Sequence, residues 1–219
     1  KDCSYDNKNL VGGKCSSLGE LYKLSHNLNF NIADGFALTT ILYDKYIEQN
    51  KLNILIEETL DNLNYDDIQN LEDNSKKLIK EITAGNFNEE QINDVTTYYD
   101  KLCNKYNNTN LEVAIRSSAI AEDMPNASFA GQQDTYLNIF GIDNIILNIK
   151  MCFASLFNVR ALSYRYSNNI KLCDVKISVA IQKMVRSDIG SAGVAFSIDP
   201  ESGYDKAIVL NSSFGLGEL

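Results

Sequence analysis

The spacing of apolar residues changes several times along the chain, and each change marks a new element. Leu18, Leu21 and Leu24 fall at helical intervals, predicting a helix from Lys14 to Leu24 to which Gly12-Gly13 delivers the chain. Residues 31–40 read as extended and end at Thr39 or Thr40, either of which suits a helix cap. From 41 to 106 the pattern is helical, with Leu71, Leu78, Ile79 and Ile82 in one stripe. Asn62-Leu-Asn-Tyr-Asp-Asp67 and Ala84-Gly-Asn86 read as breaks between helices. Leu111-Glu-Val-Ala-Ile115 is a short apolar run of the kind that forms a buried strand. Tyr136 to Phe140 alternates like a strand. Gly141 then opens a helix in which Ile142, Ile145, Ile146, Ile149, Cys152, Phe153, Leu156 and Phe157 follow three-and-four spacing. Two β-rich runs follow, Lys176–Val185 and Ala192–Ile198, joined by the turn-like Ser187–Ser191, and Ala207–Leu210 is a third. The plan is a mixed helix-and-sheet lobe to about residue 170, then the opening strands of a mainly antiparallel sheet. The fold class is α+β.

The stretch between Arg116 and Thr135 fits neither period. It is small and hydroxylic, with one Pro and one Gly, and it ends in amide and hydroxyl side chains. Arg116 is placed where the preceding strand ends, the usual position of a ligand-facing group in an α/β sheet. Such a loop can aim backbone N–H groups at an anion, with Gly131 allowing an approach that a Cβ would block. The same composition also fits an ordinary surface loop. Lys14 lies in the first turn of its predicted helix, where the helix dipole disfavours a cation unless an anion sits nearby; a solvated lysine is the alternative. A P-loop is excluded, because its first Gly would fall at Lys8 and Cys15 stands where a magnesium-holding Ser/Thr belongs.

Composition narrows the picture further. The net charge of −9 argues against nucleic acid or an acidic membrane surface as a partner. No run of about 18 apolar residues and no signal-peptide pattern is seen, so a soluble, cytoplasmic protein is expected. The five cysteines form no C-x-x-C pair, and neither a disulfide nor a zinc framework is expected. All four arginines, Arg116, Arg160, Arg165 and Arg186, lie in the second half, in a chain that otherwise uses Lys. That choice can mark a need for a planar, bidentate donor. Glu122 and Asp123 are candidate magnesium ligands, or a solvated acidic turn. His26, at the end of the first helix in polar surroundings, reads as a surface histidine.

Seven segments in order carry a family resemblance over nearly the whole chain. They are Val11-Gly-Gly-Lys-Cys-Ser-Ser-Leu-Gly-Glu20, Asp34-Gly-Phe-Ala-Leu-Thr-Thr40, the Arg116–Thr135 stretch, Phe153–Arg165, Gln182-Lys-Met-Val-Arg-Ser-Asp188 with Gly193–Asp199, and Phe214-Gly-Leu-Gly-Glu218. Together they resemble the N-terminal ATP-binding domain of the phosphoenolpyruvate synthase (pyruvate, water dikinase) family, whose relatives include pyruvate phosphate dikinase and rifampin phosphotransferase. The chain opens on Lys1 and closes inside the last motif, so a piece of a longer protein is expected.

The resemblance implies an ATP-grasp-like nucleotide-binding domain, incomplete at the C-terminus, with an N-terminal helical insert at about 41–110. Its first lobe would be 1–170, carrying a phosphate loop at 116–135. Residues 171–219 would start a second lobe with the antiparallel strands of the adenine side. The family's phosphate-side cations map onto Lys14 and Arg116, and its phosphate loop onto Gly131 and Thr135. Gln182 and Met184 map onto the strand lining the adenine pocket. ATP with Mg²⁺ is implied, the metal ligands lying beyond Leu219, so none is assigned here. In the family, ATP phosphorylates a histidine on a swivelling domain, AMP and phosphate leave, and the phosphoryl group passes to pyruvate on a further domain. The fragment alone is expected to be inactive. The other readings are the same half-reaction serving rifampin phosphotransferase, and a non-catalytic nucleotide-binding module.

Overall fold

A computed structural model describes residues 3–120, 123–124, 127–128, 134–170 and 175–216 of the chain. They divide into two compact units, Lys1–Met184 and Val185–Leu219. The boundary expected near residue 170 therefore moves to Met184, for a reason visible in the sheet.

In the first unit, helix α1 (Lys8–Ser25) leads to strand β1 (Gly35–Leu38). Four helices follow, α2 (Thr40–Gln49), α3 (Leu52–Asp61), α4 (Ile68–Ala84) and α5 (Glu89–Lys105). The predicted breaks at 62–67 and 84–86 fall between them. Both later helices begin at side-chain caps: Asp67 accepts from the Asn70 amide, and Asn88 forms a capping box with Gln91. Then come β2 (Val113–Ala119), the two-residue strands β3 (Asp123–Met124) and β4 (Ala127–Ser128), and β5 (Thr135–Ile139). Helices α6 (Ile142–Ala154) and α7 (Val159–Ser167) precede β6 (Ile177–Lys183).

Strands β1, β6, β2 and β5 form one antiparallel sheet in that order. Strand β6 was expected to open a second lobe. It lies instead between β1 and β2, with all seven of its residues paired to β2. Burial explains this: Ile177 through Ile181 are all buried, and such a strand needs cover on both faces. The sheet rests on α2 and α6, with α4 packed against α6, and Leu78, Ile82, Ile145, Ile149, Ile115 and Ile181 are each fully buried in one cluster. Tyr46 closes this core with its ring 4.6 Å from Phe87 and 5.3 Å from Phe153, while its hydroxyl donates to the Ile82 carbonyl at 2.6 Å.

The sequence showed no obvious membrane span, yet residues Ile142–Ser167 reach a mean hydropathy of 1.5 over an 18-residue window. More than half of that window, 56%, is buried within the protein, as a core helix pair requires. The 3₁₀ turn Ser155–Phe157 and the Asn158 cap divide it.

The second unit holds a short 3₁₀ turn at Ser187–Ile189 and an antiparallel pair, β7 (Ser191–Phe196) and β8 (Val209–Phe214). Strand β7 pairs with β8 over all six of its residues. Arg186 grips Asp188 through two hydrogen bonds of 2.8 and 2.7 Å across the turn. Helices and antiparallel sheets together make the chain α+β, as expected.

Candidate functional site

The site is built on a break in α1. Gly12 has φ 72° and ψ 172°, a conformation open essentially to glycine alone, so the helix is two segments meeting at a kink. A Cβ at Gly12 would lie 2.2 Å from the Ser118 carbonyl oxygen, so α1 also approaches β2 more closely than any larger residue permits. The Gly pair thus does deliver the chain to a new helical start, with Lys14 in its first turn. From there the Lys14 ammonium reaches the Ser117 carbonyl at 3.3 Å, one residue along β2 from Arg116.

Residues directly opposite in an antiparallel sheet share a face. Arg116 pairs with Thr135 on β5 and with Ala180 on β6, and Ala180 pairs with Ala37 on β1. One row across the sheet is therefore Ala37, Ala180, Arg116, Thr135. The row two residues away is Gly35, Gln182, Ala114, and the row on the other side holds Ser178 and Ser118. Val11 and Cys15 of α1 pack against Ala180, so α1 lies on this same face. Lys14, Arg116, Thr135 and Gln182 are brought together on it, amid alanine and glycine neighbours that leave a low floor. Arg116 and Thr135 are exposed, and Lys14 and Gln182 half-buried.

Arg116 does not stand at the end of its strand. Strand β2 runs on to Ala119, because Ser117, Ser118 and Ala119 stay in register with Val179, Ser178 and Ile177 of β6. The small hydroxyl side chains of Ser117 and Ser118 hid the strand by imitating a loop. Gln182 donates to the Ala33 carbonyl at 3.3 Å and lines a cleft of about 140 Å³ with Cys15, Leu18, Tyr22, Phe36 and Ala180. Met184 is half-buried and extends the β6–β2 ladder, its amide donating to the Glu112 carbonyl at 2.9 Å. Cys15, which replaces a P-loop hydroxyl, turns inward beside Ser178; burial pushes its thiol up despite hydrogen bonds with Ser118 and Ser178.

Gly131, Glu122 and Glu218 lie outside the described residues, and Asp123 is described only through its backbone pairing with Ser128. His26 is exposed at the C-terminal end of α1, its Nδ1 2.8 Å from the Tyr22 carbonyl oxygen. Sequence reasoning missed Ser118 and Ser178, whose hydroxyls bind the kink from below. The alternation of Arg116 and Ser118 on one face was the available signal, but it needed the strand to be seen first.

A family model described as pyruvate phosphate dikinase, AMP/ATP-binding domain, matches residues 8–219. The chain belongs to this family. Phosphoenolpyruvate synthase of Helicobacter pylori (strain ATCC 700392 / 26695) is 44% identical over 100% of this chain and 27% of its own length. The protein of the same description from Aquifex aeolicus (strain VF5) is 42% identical over 96% of this chain and 24% of its own length. That from Escherichia coli (strain K12) is 41% identical over 95% of this chain and 26% of its own length. The chain therefore spans about a quarter of these relatives. The face shared by α1 and the sheet thus carries two cations of different geometry, a hydroxyl and an amide.

Proposed function

We propose that the chain is the ATP-binding domain of a phosphoenolpyruvate synthase, with an ATP-grasp type of fold that continues in a longer protein. The observation that carries this reading is the convergence of Lys14, Arg116, Thr135 and Gln182 on the α1 face of the sheet.

In this reading Arg116 offers a planar fork to phosphate oxygens and Lys14 a compact charge beside it, while Thr135 donates from the next strand. Gln182 and Met184 belong to the base side. Phosphoryl transfer needs chiefly alignment and neutralisation of charge on the phosphate oxygens, which these groups supply without acting as acid or base. The overall half-reaction takes ATP and water to AMP, inorganic phosphate and a phosphohistidine on a separate swivelling domain. That histidine then phosphorylates pyruvate. A divalent cation accompanies the nucleotide in this scheme. Among the described residues, no three His, Cys, Asp or Glu side chains cluster to hold one, so no step is drawn through a metal bound here.

The test uses the full-length protein with ATP and pyruvate, following AMP, inorganic phosphate and phosphoenolpyruvate. Stoichiometric AMP and phosphoenolpyruvate are expected, with each of Lys14→Ala and Arg116→Ala reducing the rate about tenfold or more. Formation of ADP in place of AMP, or wild-type rates in both variants, would refute the reading. AMP formed only with a rifamycin as acceptor would assign the same half-reaction to antibiotic phosphorylation.

A further inference from the structure

The kink in α1 is held by a hydroxyl inserted into the helix itself. In an uninterrupted helix the Cys15 N–H would donate to the Val11 carbonyl four residues earlier. Here the Cys15 amide donates to Ser118 Oγ at 3.2 Å, and Ser118 Oγ donates to the Val11 carbonyl at 2.9 Å. The hydroxyl is thus an intermediate between the two ends of one helical hydrogen bond. Insertion of a side chain into this ladder is a recognised cause of kinks. Ser178, directly opposite Ser118 in register, gives the same carbonyl a second hydroxyl donor. Both serines are fully buried, and Ser16 in turn donates to the Gly13 carbonyl at 2.8 Å. Every backbone group named here bears on the segment 11–16, whose one charged member is Lys14.

We infer that Ser118, assisted by Ser178, is a positioning residue: its inserted hydroxyl fixes the Gly12 kink and so aims Lys14 along β2 beside Arg116. This rests on the proposed role of Lys14 at the phosphates and adds what sets its aim. Gly12 takes the left-handed conformation at which the ladder opens, and Ser118 fills the opening. Both serines are buried beneath α1, away from the exposed part of the face where Arg116 and Thr135 stand. Their effect on ATP passes entirely through the turn that carries Lys14.

That dependence gives a sharp test in the full-length protein, a double-mutant cycle on ATP affinity and turnover. Ser118→Ala alone should weaken ATP-dependent turnover about five- to tenfold, the usual loss for one buried hydrogen bond. In a Lys14→Ala background the same change should cost less than twofold, because the group it aims is gone. Ser178→Ala, which leaves the inserted hydroxyl in place, should show a smaller loss with the same disappearance, and serves if Ser118→Ala fails to fold. A serine whose role is only to hold the fold together would cost the same in both backgrounds, and that additivity would overturn the inference while leaving the Lys14 assignment standing. No effect of Lys14→Ala itself would overturn both.

Discussion

Strands β2 and β6 present two faces made by opposite rules. Toward α6 they offer Val113, Ile115, Val179 and Ile181, each fully buried in one continuous apolar cluster with Ile145, Ile149 and Phe153. Toward α1 the intervening residues are Ala114, Arg116, Ser118, Ser178, Ala180 and Gln182. Where α1 covers this second face, a small apolar contact of Val11 and Cys15 with Ala180 is joined by hydroxyl-to-backbone bonds, and beyond it Arg116 stays exposed. A period-2 strand thus lets one sequence carry stability and the proposed nucleotide contacts on alternate residues. A change on either face should be readable as one or the other.

The strongest test of that separation removes side-chain volume from the apolar face. Ile115→Ala, next to Arg116 but pointing the other way, should lower unfolding free energy by about 2–5 kcal/mol, as buried large-to-small changes do. At a temperature where the variant remains folded, its ATP affinity should stay within about twofold of wild type, if Arg116 and its face meet the nucleotide as proposed. Chemical denaturation and calorimetric titration on the same full-length sample measure both. A large affinity loss in folded Ile115→Ala would show the faces to be coupled.

Gly12→Ala attacks the one point where both properties meet. Its φ of 72° with ψ 172° costs an L-residue about 1–3 kcal/mol. The added Cβ, 2.2 Å from the Ser118 carbonyl oxygen, must also push α1 off β2. A total near 3 kcal/mol in stability is expected, together with a clear loss of ATP affinity. Loss of stability with unchanged ATP binding would mean that α1 can shift without moving Lys14.

Arg116→Ala is the mirror image of Ile115→Ala. The exposed side chain contributes little to packing, so the melting temperature should move by no more than about 2 °C. ATP affinity should fall by about 1.5–3 kcal/mol, the usual value of a charge-assisted contact. A large fall in melting temperature with normal ATP affinity would turn Arg116 into a structural residue.

How legible these faces were in the sequence depended on side-chain size. The apolar face announced itself: Ile145, Ile149 and Phe153 repeat at helical intervals, and the buried strand at 111–115 was visible as a run. Helix breaks at 62–67 and 84–86 were equally clear from their Asn, Asp and Gly residues, and Asp67 and Asn88 prove to cap the helices that follow. The polar face was harder to read. Ser117 and Ser118 suit a loop or a strand, and only their pairing with β6 decides between them. The position of β6 was misjudged for a related reason, since a strand buried on both faces carries no sign of which sheet it joins. Lys14, Arg116, Thr135 and Gln182 were marked by family likeness, and their common face follows from register, which no local pattern specifies.

The smallest expected effect concerns Asp34, where the end of α5 is tied to the start of β1. Lys105 Nζ lies 2.7 Å from Asp34 Oδ2, the Tyr106 hydroxyl donates to the same oxygen, and Lys183 sits over the Tyr106 ring at 4.9 Å. Burial alone would raise the Asp34 pKa, but hydrogen bonds from Lys105 and Tyr106, with the nearby Lys105 and Lys183 charges, bring it below the ordinary value. A depressed carboxylate stabilises the fold above its unfolded-state pKa, and that contribution is lost as pH falls through the folded value. Asp34→Asn should therefore be less stable than wild type at pH 7 by about 1 kcal/mol or less, since Lys105 is largely in water. The gap should close as pH drops below about 4, the ordinary aspartate range. It should also shrink in molar salt, which screens exposed pairs. Denaturant midpoints at pH 7 and pH 3, with and without salt, measure this directly. A gap of equal size under all these conditions would mean that Asp34 acts by shape and hydrogen bonding alone, and that its charge holds nothing in place.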